Sequence, residues 1–349
     1  MVKRSKKINI NLVAERAGVS LASVSRVVNN HPDVSESLRK KVMTVVEEIN
    51  FTPNKGAERV FRIGVIVGTG KLEVTDYVAA LLSGMGRYVD GRDLELSVCM
   101  NTRHDLLRTC RLQRCDAVMM ICGEYLLERV PALASAGLPV MLINTPLQGE
   151  RIGFISHDSL ASARQLLRCL TEVGHRNIAY LSVFGNHRKG RGISDNHQER
   201  AEAYREAMRA QGKSPEQWFV PKLLDECHGE ILSAKEVGYR QTIQLLARSP
   251  EVTAIACAND EIALGCHKAC FDLGKKIPED ISVVGFDDQS FAGYLSPGLT
   301  TVRQPLAAMA AAGIHALEAF LKGEQTVLPQ EYLPTELMIR GSVAPPRTL

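Results

Sequence analysis

Residues Asn9 to Asn54 read N-I-N-L-V-A-E-R-A-G-V-S-L-A-S-V-S-R-V-V-N-N-H-P-D-V-S-E-S-L-R-K-K-V-M-T-V-V-E-E-I-N-F-T-P-N. The stretch holds three short helical periods separated by turn signals. Asn9 is placed to cap a first helix running to about Arg16. Gly18 supplies a tight turn, because glycine takes positive φ at no steric cost. Ser20 caps a second helix from Leu21 to about Asn29, and a third starts near Ser35 and is stopped by Pro53. Val13, Ala14, Ala17 and Val19 face Val24, Val27 and Val28, with Leu38, Val42, Val45, Val46 and Ile49 closing a small core. Leu21, Ala22, Ser25, Arg26 and Asn29 then fall on the opposite side of the second helix. That face, short-chained and polar except at its start, suits a helix entering a DNA major groove by its N-terminal end.

Charge supports that placement. The chain has 349 residues and a formal net charge of +3. Residues 1–62 carry 12 Lys/Arg against 6 Asp/Glu, so the remainder is net acidic by 3. A basic head on a slightly acidic body fits one end meeting phosphates. No apolar run is long enough to span a bilayer. The basic M-V-K-R-S-K-K start has no apolar stretch after it, so no export signal is expected. The nine cysteines are scattered, with no C-x-x-C pair. They read as reduced thiols of a cytoplasmic protein, with Cys266 and Cys270 sharing a helix face.

From Ile63 onward, short apolar runs alternate with helical periods. Strands are expected at Ile63–Val67, Leu94–Cys99, Ala117–Ile121, Pro139–Ile143, Ile178–Val183, Ala254–Cys257 and Ile281–Gly285. Helices are expected at 74–89, after Ile121 and ending at Gly137, and at 158–173, 196–210, 233–247 and 261–273. Strand–helix alternation implies parallel sheets with right-handed crossovers. Two such sets imply two lobes with a cleft between them, and the tail 299–339 is long enough to complete both. Ligands of parallel sheets lie beyond strand C-termini. G-H-R-N-I-A-Y-L at Gly174, A-N-D-E-I-A-L-G at Ala258, V-V-G-F-D-D at Val283 and L-T-T-V-R-Q-P at Leu299 fall at or near such ends.

The run A-G-V-S-x-x-S-V-S-R-V-V-N, then V-S, R-x-K-V and P-N, resembles the LacI/GalR family of bacterial repressors. That resemblance implies an α/β fold in which an N-terminal all-α helix-turn-helix head precedes a bilobed, periplasmic-binding-protein-like body with two parallel doubly wound sheets. It implies domains at 1–54 (head), 55–62 (a shortened connector) and 63–345 (effector binding and dimerisation). Leu21, Ala22 and Arg26 would meet base edges, where an arginine grips guanine bidentately. Ser23, Ser25, Asn29 and Ser35 would hold phosphates. Val60 stands where the family inserts a leucine into the minor groove. Gly56 weakens the connector as a helix, and Glu58 places a negative charge near phosphates. Arg200, Asn259 and Asp287 match effector-binding positions, with Gln304 as a further candidate and Asp158 at the first crossing between lobes.

The function so implied is a homodimeric transcriptional regulator, a repressor, on a pseudo-palindromic DNA operator. Its affinity is tuned by a small effector such as a sugar or sugar derivative. The basic loop Phe184–Gly192 suggests an anionic effector, such as a sugar phosphate or acid. No cofactor, metal or catalytic residue is expected. The alternative is a cytoplasmic doubly wound enzyme, or a ligand-binding protein without DNA readout. G-T-G-K at Gly68 fails as a phosphate loop, because Val65 replaces the first glycine and Leu72 the hydroxyl residue. No G-x-G-x-x-G, G-x-S-x-G or metal spacing takes its place.

Overall fold

A computed structural model describes residues 10–28, 31, 34–49, 60–68, 74–100, 105–122, 124–182, 196–220 and 233–347. The chain forms two compact units that divide between Val60 and Phe61.

The first unit holds α1 (Ile10–Ala17), α2 (Leu21–Val28) and α3 (Glu36–Glu48). Gly18 takes φ +57 between α1 and α2. Ser20 Oγ accepts from the Ser23 amide at 3.1 Å, satisfying an amide at the start of α2 that has no partner within the helix. Ser35 does the same for α3 through the Leu38 amide. Val13, Ala17, Val24, Val27, Val42 and Val46 form a closed apolar core, with Val19, Leu38 and Ile49 packed on it. Helix α3 ends at Glu48 and is closed by Ile49, ahead of Pro53. Asn9 and residues 50–59, including the connector signals, lie outside the described residues.

The second unit has two lobes. The first is a six-stranded parallel sheet ordered β11-β5-β4-β3-β1-β2. Its elements are β1 (Phe61–Gly68), α4 (Asp76–Val89), β2 (Leu94–Cys99), α5 (Leu106–Leu112), β3 (Ala117–Cys122), α6 (Val130–Ser135), β4 (Val140–Ile143) and β5 (Ile152–Ser156). The second lobe holds α7 (Ser159–Glu172), β6 (Ile178–Leu181), α8 (Asn196–Ala210), β7 (Phe219–Val220), α9 (Ala234–Arg248), β8 (Ala254–Cys257), α10 (Asp260–Asp272) and β9 (Ser282–Val284). Its parallel sheet runs β7-β6-β8-β9. The chain then forms β10 (Thr301–Arg303), returns to the first lobe as α11 (Leu306–Lys322) and β11 (Gln330–Tyr332), and recrosses to β12 (Glu336–Met338). Strands β10 and β12 pair antiparallel.

Each lobe has its own core. Leu170, Tyr204, Ile255 and Val283 belong to the second-lobe core. The two faces of the first sheet bury Val65, Met119 and Ile314 on one side and Ile66, Met120 and Leu142 on the other. That division follows the alternation of side chains along a strand. The lobes meet through three crossings, at His157–Asp158, Gln304–Pro305 and Leu333–Thr335. No helix among the described residues is long and apolar enough to cross a membrane.

Candidate functional site

On the head, burial of Val24 and Val27 fixes which face of α2 remains open. Leu21, Ala22 and Arg26 are exposed, Leu21 to 49%. Ser23 and Ser25 are half-buried at the flanks, and the Ser23 hydroxyl lies 2.9 Å from that of Ser20. Ser35 is exposed while capping α3. Asn29 lies outside the described residues. Val60 is exposed immediately before β1.

In the body, the decisive geometry lies between the lobes. The Arg200 guanidinium, from α8, donates to the Ala258 carbonyl at 2.7 Å and to Ser159 Oγ at 3.2 Å. It lies 3.6 Å from Asp287 Oδ1 and 3.6 Å above the Phe286 ring. Gln304 Nε2 donates to Asp287 Oδ1 at 2.6 Å, and Asn144 Nδ2 donates to Gln304 Oε1 at 2.7 Å and to Tyr77 Oη at 2.6 Å. One hydrogen-bonded chain therefore runs from the second lobe through a crossing residue to the first. Asn144 and Asp287 hold φ of 56 and 117. Left-handed backbone at non-glycine residues concentrates at ligand clamps and switch regions.

Asn144 donates through both its bonds to Tyr77 and Gln304, so its Oδ1 accepts from His157 Nδ1 at 2.8 Å. That fixes the neutral tautomer and leaves His157 Nε2 as an acceptor. Burial first, then the Arg200 and His197 charges, push the imidazole down to about 3. Nε2 is buried without a partner among the described residues, as is Gln289 Oε1. Asp287 is pushed up to about 6 by burial, against the pull of Arg200 and of the Gln304 and Gln289 hydrogen bonds. Asp260, the first residue of α10, is pushed up to about 7 by burial and by Asp287. It accepts from Thr301 Oγ1 at 2.7 Å and from the Gln289 amide at 2.8 Å.

A cavity of about 270 Å³ opens between Asp76, Tyr77 and Leu306 on the first lobe and Asp287, Asp288 and Gln289 on the second. At its mouth, Ser290 Oγ donates to Asp76 Oδ2 at 2.9 Å, joining the lobes directly.

Of the residues singled out from sequence, Arg200, Asp287 and Gln304 converge. Asn259 Oδ1 caps α10 through the Ile262 amide, and Asp158 Oδ1 caps α7 through the Ala161 amide. Tyr77, Asn144, His157, Phe286 and Gln289 were not anticipated. Asn144 was within reach, since it directly follows a strand whose C-terminal end faces the cleft. The basic loop 184–192 lies outside the described residues.

A three-helix head with an open helix face that carries Arg26, followed by a two-lobed body with a polar cleft at its crossings, defines a ligand-responsive DNA-binding regulator. Residues 9–54 match the model of bacterial regulatory proteins of the lacI family, and residues 167–343 match that of the periplasmic binding protein-like domain. The HTH-type transcriptional regulator GalS of Salmonella typhimurium is 32% identical over 350 residues, with 97% of each chain covered. The chain belongs to the lacI family and is a DNA-binding transcriptional regulator, not an enzyme. Among solved structures, the transcriptional regulator CelR in complex with cellobiose aligns with a TM-score of 0.67 at 28% identity. It covers 96% of this chain and 100% of that one. The lac repressor dimer bound to operator and the anti-inducer ONPF shares the fold, with a TM-score of 0.72 at 24% identity. That alignment covers 97% of this chain and 100% of the repressor chain.

Proposed function

We propose that this regulator is a cytoplasmic repressor, acting as a homodimer on a pseudo-palindromic operator, and that a neutral carbohydrate held between the lobes sets its operator affinity. The carrying observation is the balance of hydrogen-bonding capacity in the cleft. The Arg200 guanidinium is engaged through Nε by Ser159 and through Nη1 by Ala258, with Asp287 balancing its charge. Among the described residues, buried acceptors without a partner lie at His157 Nε2 and Gln289 Oε1, beside a carboxylate. A ligand that fills such a site brings donors, as sugar hydroxyls do. A phosphate or carboxylate would lie against the Asp287 carboxylate, whose charge already offsets that of Arg200. This reading departs from the anionic effector suggested by the basic loop. The CelR–cellobiose complex supports the same chemistry in a relative.

Arg200, Asp287 and Gln304 contact the effector in this reading, with Asn259 and Asp158 fixing the helices that border the cleft. Leu21, Ala22 and Arg26 read bases, and Ser23, Ser25, Asn29 and Ser35 hold phosphates. Val60 enters the minor groove. The chain divides in this reading into a head (1–54), a connector (55–62) and a body (63–345), although the compact body already begins at Phe61, where β1 starts. The test is a thermal-shift panel of neutral sugars, sugar phosphates and sugar acids on the full chain. Stabilisation by neutral sugars supports the reading. Stabilisation by anions alone overturns it.

A further inference from the structure

The first lobe carries two thiols that the regulatory reading leaves unused. Helix α5 ends in a Schellman closure: the Arg114 amide donates to the Arg111 carbonyl at 3.1 Å and the Cys115 amide to the Cys110 carbonyl at 2.9 Å. Arg114 takes φ 54. This motif turns the side chains three residues inside and two residues beyond the helix end against each other. Here those two residues are Cys110 and Cys115, and both pack in the same apolar cluster. Cys110 is buried and Cys115 is half-buried, and both are thiols.

One guanidinium lies beside this segment, itself paired with Glu95 at 2.6 Å. Arg62, the second residue of β1, donates through its guanidinium to the Gln113 carbonyl at 2.9 Å, and its amide donates to Asp116 Oδ2 at 2.9 Å. The arginine therefore straddles the segment that contains Cys115. Interaction with the neighbouring Cys110 thiol, and then the Arg62 charge, hold the Cys115 thiol below its ordinary range against its burial, while Cys110 is pushed up. Thiolate character and access select the cysteine that reacts, and a second sulfur beside it resolves the product.

We propose that Cys110 and Cys115 form a redox modification site, oxidised to an intramolecular disulfide by a small hydroperoxide. The Cys115 thiolate attacks the distal peroxide oxygen. The O–O bond breaks, the leaving alkoxide or hydroxide takes up a proton, and Cys115 becomes a sulfenic acid. The Cys110 sulfur then attacks the Cys115 sulfur. The S–O bond breaks, and the departing hydroxide leaves as water with the Cys110 proton. The sulfurs together lose two electrons and the peroxide gains them. The bond forms beside Arg62, where the chain arriving from the head enters the first sheet. It goes beyond effector binding and does not depend on it.

The test uses the full chain and hydrogen peroxide, with non-reducing peptide mapping. Arg111 and Arg114 lie between the cysteines, so trypsin releases them on separate peptides unless a disulfide joins them. The expected result is a Cys110–Cys115 linked pair after peroxide, released by dithiothreitol. In Cys110→Ala, oxidation instead stops at a Cys115 sulfenic acid trapped by a 1,3-diketone. The proposal is overturned if both thiols of the wild-type chain stay alkylatable after peroxide treatment. It is equally overturned if Cys115 is recovered joined to Cys99 instead.

Discussion

Arg200 and Asp287 form an ion pair in which both side chains are more than nine-tenths buried, at 3.6 Å, with Gln304 bonded to the same carboxylate oxygen. Both charges pay for desolvation, so each depends on the other and on its remaining hydrogen bonds. Gln304 sits on a crossing and Asn144 on the opposite lobe, so the pair is tied to the relative position of the lobes. A ligand that changes this network shifts a two-state equilibrium only by its differential affinity for the two states.

Asp287→Asn keeps an acceptor for Gln304 but removes the charge facing Arg200. A hydrogen bond to a charged group contributes about 1.5–3 kcal/mol, so effector affinity falls about tenfold or more. Operator binding without effector is retained. Fluorescence anisotropy of labelled operator, with and without effector, reads both. An unchanged effector response would remove Asp287 from the binding site.

Ser290→Ala removes the direct bond to Asp76 across the cleft mouth. An exposed bond of this kind nets about 0.5–1 kcal/mol. Effector affinity is expected to fall roughly two- to fivefold, while the melting temperature of the body stays within error. Calorimetric titration checks the first and thermal unfolding the second. Equal affinity for both proteins would show that this contact does not hold the lobes together in the bound state.

Asp260→Asn tests the burial of a carboxylate whose pKa is pushed up to about 7. The folded pKa lies above the ordinary value, so the protonated acid favours the folded state. That contribution is complete below about pH 4 and is lost as pH rises through about 7. Asparagine does not titrate, so the variant gains on the wild type between those limits and the gap levels off above them. His157, held down in both proteins, titrates in the opposite sense and largely drops out of the difference. Melting temperatures across that pH range give the curve, and a flat difference would mean that Asp260 stays ionised.

Arg26→Ala removes the longest polar side chain on the open face of α2. One bidentate base contact discriminates by about 1–3 kcal/mol, so most sequence preference is lost while non-specific, salt-dependent binding persists. The body, a separate compact unit, melts unchanged. Competition between operator and bulk DNA measures the preference, and an unaltered ratio would take Arg26 out of base readout.

Gly265→Ala probes the crossing of α9 and α10. A Cβ on Gly265 would collide with the Lys235 carbonyl and the Tyr239 amide, both rigid backbone of α9. Overpacking of this kind costs about 1–3 kcal/mol, read as a lower melting temperature. Wild-type stability would mean that the helices separate easily.

The head was legible almost to the residue, because two turn signals, two serine caps and valine spacing agree on one arrangement. The body's alternating pattern gave most elements within one or two positions. Helix α4 begins at Asp76, not Val74, because Thr75 caps it through the Val78 amide. Strand β5 was missed: Ile152–Ser156 follows β4 with no helical period between them to mark a new strand. Missing β5 hid His157, which follows it directly. Tyr77 and Phe286 carried no sequence signal of their own, because only the folded chain brings them beside Asn144 and Arg200. Asn259 and Asp158 show the opposite limit: polar residues at strand ends serve helix caps as well as ligands, and spacing does not separate the two.

The most direct test of the central reading is selection of bound duplexes from random DNA by the full chain at moderate ionic strength, repeated with pooled neutral sugars. The expected result is an inverted repeat with a fixed half-site spacing, whose retention changes when the sugars are added. Recovery of no inverted repeat under any condition, or of one whose retention no ligand alters, would contradict it.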